Sequence, residues 1–98
     1  MRMISIEIAD FEFDIINEEI SKAYLDCRSI YNSRNRSYTI TLNIEQANAL
    51  KDILTEYLKT ITTYFLEEKA VDYYRFNIIT DFAFLLCTEL DWLENKEN

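Results

Sequence analysis

The chain has no glycine, no proline and no histidine in 98 residues. Without histidine it lacks an imidazole base, a histidine activator for a nucleophile and a histidine metal ligand. Without glycine it has no phosphate-cradling loop of the P-loop or dinucleotide type, whose backbones require residues with no Cβ. With neither glycine nor proline, nothing punctuates the chain, and element boundaries have to be read from capping residues and changes of period. Cysteine is scarce as well: Cys27 and Cys87 stand 60 positions apart, with no CxxC pair. Two thiols with no histidine cannot close a structural zinc site, so both read as buried, reduced and inert. No apolar run approaches the ~20 residues that span a bilayer. Residues 1–9 are too short for a signal peptide and are interrupted by Glu7, so the expected location is cytoplasmic.

What is present describes a single small domain over residues 1–98. Apolar residues make up 49% of the chain and aromatic residues 14%, enough to build a core from large side chains. The net charge is −8, which opposes adhesion to nucleic acid or to an anionic membrane and suits a partner with a basic surface. Isoleucine, asparagine, tyrosine and glutamate are abundant while valine occurs once, at Val71. That bias is what an AT-rich genome gives, as in low-GC bacteria and their phages.

Ile4, Ile6 and Ile8 alternate with Ser5 and Glu7, the period of a half-buried strand. The parity slips at Ala9-Asp10, and Phe11, Phe13 and Ile15 then alternate with Glu12 and Asp14. One residue of slip flips every side chain, so the chain is expected to turn into a hairpin or to bulge here. Asn17 reads as an N-cap for a following helix, with the stripe Ile20, Ala23, Tyr24, Cys27 and Ile30. Asn32 to Ser37 reads as a polar loop, and Tyr38, Ile40 and Leu42 as a strand. Asn43 with Gln46 has the form of a capping box opening a long helix through Ala47, Leu50, Leu54, Leu58, Ile61 and Phe65. Beyond Glu67-Glu68-Lys69 two readings stand. Either Asp72 caps a helix running to about Glu94, or Tyr74, Phe76 and Ile78 form a short strand before a helix from Thr80. The expected class is α+β, a small sheet of two to four strands packed against two to three helices.

Three surfaces carry the functional candidates. The first is acidic: residues 1–20 hold six acids against Arg2 alone, and 67–98 hold eight against three bases. On strands, Glu7, Glu12 and Asp14 would share one solvent face with Asp10 at its edge, an array that imitates a phosphate backbone and enters a basic groove. The second is Arg28, Tyr31, Arg34 and Arg36, a basic segment with interleaved tyrosines of the kind that stacks on bases or forms a protein hot spot. The third is the aromatic set Tyr73, Phe76, Phe84 and Trp92 in an apolar C-terminal helix, a candidate homodimer surface. Carboxylate pairs occur, but none stands beside a nucleophile or metal partner, so no enzyme, cofactor or metal is expected.

In size, charge and residue bias the chain resembles small anti-CRISPR and other anti-defence proteins, a likeness of composition that carries no motif. It implies a non-enzymatic phage-type inhibitor of a nucleic-acid-handling bacterial protein. The rival expectations are an assembly protein dimerising through its C-terminal helix and a small nucleic-acid-binding regulator using Arg28, Arg34 and Arg36.

Overall fold

A computed structural model describes residues 2–23 and 25–97. Strand β1 (Met3–Ala9) leads into helix α1 (Asp10–Lys22), and strands β2 (Arg28–Asn32) and β3 (Ser37–Asn43) form a hairpin. Helices α2 (Ile44–Leu66) and α3 (Tyr73–Glu97) follow. The sheet is antiparallel with order β1-β3-β2, so this is an α+β fold in which β3 is central and β1 and β2 are the edges.

The alternation of Ile4, Ile6 and Ile8 sets the register: they stand opposite Leu42, Ile40 and Tyr38 of β3. This face is covered by the helices, and the three isoleucines, Ile40 and Leu42 are all buried. Ile16 and Ile20 of α1, Ala47, Leu50 and Leu54 of α2, and Ile78, Ile79, Phe82, Leu86 and Leu90 of α3 complete the core. The opposite face, which includes Ser5, Glu7, Arg28 and Ile30, carries no helix and is exposed at these positions. Leaving one face wet is what an antiparallel sheet permits.

The parity slip at Ala9-Asp10 is neither a hairpin nor a bulge. The strand passes straight into α1, with extended Ala9 as its N-cap. Alanine has no oxygen to offer the free amides, but Glu12 Oε1 accepts the Ala9 N–H at 3.1 Å, and Asp10 and Glu12 complement the helix dipole. Phe13, Ile16 and Ile20 then follow the helical period and pack on the core. Asn17 is therefore an interior residue of α1 and not its cap.

The stripe expected over residues 20–30 also breaks. Helix α1 ends at Lys22, Tyr24 lies outside the described residues, and Ile30 lies on β2. The β2–β3 turn is made by residues 33–36, where Asn32 Oδ1 accepts the Arg34 N–H at 3.0 Å and Arg36 takes φ 51°. Glu68, just past α2, takes φ 58°. In a chain without glycine, these two side chains bear the left-handed conformations that glycine normally relieves.

The expected capping box at α2 is present in both halves. Asn43 Oδ1 accepts from Gln46 N at 2.8 Å, and Gln46 Oε1 accepts from Asn43 N at 2.9 Å. Of the two readings of the C-terminal third, the continuous helix holds: Asp72 Oδ1 accepts the Arg75 N–H at 3.0 Å, and Tyr74, Phe76 and Ile78 are helical.

Candidate functional site

The N-terminal acids do not form one array. Glu7 projects from the open sheet face, in register with Thr39. Asp10, Glu12 and Asp14 are on α1, which packs against the other face through Phe13, stacked on Tyr38 with ring centroids 3.8 Å apart. Glu12 is engaged at the helix start, while Asp10 and Asp14 lie one turn apart on the same side of α1.

The basic candidates all lie on the β2–β3 hairpin, but at its two ends: Arg28 starts β2, on the open face opposite Thr41, and Arg34 and Arg36 are in the turn. Tyr31 faces the helix side, its ring 4.9 Å from Tyr38. All five residues of β2 are exposed. Cys27, which sequence periodicity puts on a helix, sits in the segment leading into β2 and is a free, half-buried thiol. Burial, with Asp26 alongside, pushes it above the ordinary thiol range and so lowers its thiolate reactivity. Cys87 on α3 is likewise a free, half-buried thiol.

Helix α3 presents the third surface. Its inner side carries Ile78, Ile79, Phe82, Leu86 and Leu90, while Phe84 is 71% exposed, Leu85 42% and Trp92 55%. Asp81, Glu89, Asp91 and Glu94 of the same helix are exposed as well, and residues 76–95 contain these four acids and no base. Tyr73 and Phe76 belong to a separate cluster at the α2–α3 junction. Phe65 packs on both, at 5.6 and 5.7 Å between centroids, and Tyr64, Leu66 and Tyr74 are exposed nearby in sequence. The expected association set is thus split: Phe84 and Trp92 are on the outer side of α3, Tyr73 and Phe76 at its start.

An ion-pair cluster joins α1 to α3 through residues that sequence periodicity cannot pair. Glu19 is 2% exposed, and its Oε1 accepts from Lys22 Nζ at 3.1 Å and from the Arg75 guanidinium, which also donates to Glu18 at 2.8 Å. Burial alone would lower the Arg75 pKa, but the hydrogen bonds to Glu18 and Glu19 hold it above its ordinary value. Tyr57 of α2 lines an open groove of about 570 Å³ with Glu19, Lys22 and Ile53. Its phenol is pushed up by burial; Arg75 opposes the shift, and Asp72 and Glu19 add to it. The signal for Glu19 was its position beside Ile16 and Ile20 on the apolar stripe of α1.

Among the described residues no group of three histidine, cysteine, aspartate or glutamate side chains is placed to hold a metal ion, and no helix is long and apolar enough to cross a membrane. No family model, no curated protein and no solved structure matches the chain.

Proposed function

We propose that this chain is a non-enzymatic protein-binding module that engages a basic partner through the outer side of α3. The observation that carries the reading is the combination on one helix of exposed Phe84, Leu85 and Trp92 with four exposed carboxylates and no base from 76 to 95. Large aromatic side chains exposed outside the core supply hot-spot area. The carboxylates around them select a positively charged surface and speed encounter with it. Self-association across the same surface would set the carboxylates of one copy against those of the other, an unfavourable arrangement in an isologous interface.

In its finer form, the partner is a nucleic-acid-handling bacterial protein whose basic groove receives α3, and the chain is a small anti-defence inhibitor of the phage type acting in the host cytoplasm. The net charge of −8 supports this form. The charge mimicry then falls to α3, because Glu7 and the acids of α1 point from different faces.

Replacing Asp81, Glu89 and Asp91 together by lysine is expected to abolish capture of the partner from a nuclease-treated bacterial lysate. The unmodified chain should hold the partner and release it at a salt step. Equal capture by the reversed variant, with its fold intact by circular dichroism, would remove the proposal.

A further inference from the structure

The exposed strand β2 carries a second surface, independent of α3. The Asp10 N–H donates to Arg36 C=O at 2.9 Å, just beyond the Ala9–Ser37 pair. In an antiparallel ladder this bond marks Ala9–Ser37 as a non-hydrogen-bonded pair, so the Ser37 backbone groups turn away from β1 towards β2. Ladder bonds alternate along a strand. The pairs Asn32–Ser37, Ile30–Thr39 and Arg28–Thr41 therefore exchange the β2–β3 bonds. The N–H and C=O groups of Ser29 and Tyr31 project from the free edge of the sheet.

Natural sheets blunt such edges with proline, bulges or inward-pointing charges. Here the chain has no proline, and the only charged residue of β2 is Arg28, on the open face. Ile30 on one face and Tyr31 on the other are about half exposed. An added strand would find apolar contacts on both sides of the edge.

Charge identifies the occupant. Residues 27–44 hold Arg28, Arg34 and Arg36 and no acid, although the whole chain has 18 acids. Pairing of β2 with β2 of a second copy would bring two arginine sets together. A nucleic-acid strand would leave the Ser29 and Tyr31 backbone groups without partners and would meet the repulsion of the remaining acids. We infer that the β2 edge accepts an extended acidic peptide segment as a fourth strand, held by the Ser29 and Tyr31 backbone groups and by Arg28, Arg34 and Arg36.

The test is a fluorescence-anisotropy titration of the full chain with a labelled peptide alternating glutamate and valine. Binding should be salt-sensitive, and a lysine–valine peptide should not bind. N-methylation of one alternate set of peptide amides should weaken binding about tenfold, while methylation of the other set should be tolerated, because only one set faces the edge. Ser29→Pro removes an outward N–H that β3 does not use and should also weaken binding about tenfold. Should that variant fold poorly, the N-methyl pair decides without altering the protein. Absence of peptide binding, equal tolerance of both methylated sets, or capture of a single-stranded oligonucleotide that the peptide cannot displace would each overturn the inference. A β2-mediated dimer of the chain alone would overturn it as well.

Discussion

Arg75→Ala is expected to lower the melting temperature by about 15 °C, from a loss of about 3 kcal/mol at some 4–8 °C per kcal/mol for a domain of this size. Glu19 is almost fully buried, and Arg75 is its partner from another helix; Lys22, a neighbour on α1, is itself largely exposed. Removing the guanidinium leaves a desolvated carboxylate with one peripheral cation. Breaking such a pair by deleting one partner costs far more than the intact pair contributes. The double variant Glu19→Leu/Arg75→Met should recover most of the loss, because an apolar pair of similar volume replaces the ions without leaving either charge alone. Thermal denaturation of the single and double variants measures both effects. An unchanged melting temperature for Arg75→Ala would show that the link between α1 and α3 contributes nothing.

Phe84→Ala combined with Trp92→Ala is expected to cost the partner complex on the order of 1000-fold in affinity, at roughly 2 kcal/mol for each buried aromatic anchor. Both side chains are largely exposed, and neither belongs to the core cluster, so the melting temperature should move by only a few degrees. That separation distinguishes binding residues from structural ones. Phe82, two positions away and 2% exposed, is the internal control: its truncation should unfold or strongly destabilise the chain at about 3–5 kcal/mol. Titration calorimetry with the captured partner reads the affinity, and thermal melts read the fold.

The elements with one clear period were legible from the residues. Ile4, Ile6 and Ile8 gave β1, Tyr38, Ile40 and Leu42 gave β3, and Asn43 with Gln46 placed the start of α2. The errors have physical causes. At Ala9-Asp10 the first turn of α1 puts Phe11, Phe13 and Ile15 at alternate positions, which imitates a strand over so short a window. The discriminating feature was Glu12, three residues after the cap position, where its carboxylate reaches back to the Ala9 N–H. Strand β2 was missed because it is exposed on both faces, and so has no buried alternation to display. Without glycine or proline, nothing marked the end of α1. Periodicity also cannot pair Glu19 with Arg75, 56 positions away, although a carboxylate on the apolar stripe of α1 indicates that some cation must meet it.

Legibility of the candidate site divides in the same way. Aromatic content and acidic excess were plain in the sequence, and the helical period of α3 puts exposed Phe84, Leu85 and Trp92 on the side that carries Asp81 and Asp91, with Glu89 and Glu94 exposed on its flanks. The N-terminal acids lost their common face when residues 10–22 proved helical, and the arginines proved to lie on one hairpin, Arg28 on its first strand and Arg34 and Arg36 in its turn.

The most direct measurement is site-specific photo-crosslinking in a nuclease-treated bacterial lysate. The crosslinking residue is placed in turn at Phe84, Thr88 and Trp92 on α3, at Thr62 on α2, and at Glu7 on the open sheet face. The expected result is a covalent product with a basic protein from the three α3 positions and none from Thr62 or Glu7. A product from Glu7 alone, or homodimers of the chain from α3 with no second protein, would contradict the assignment of α3 as the surface that binds a basic partner.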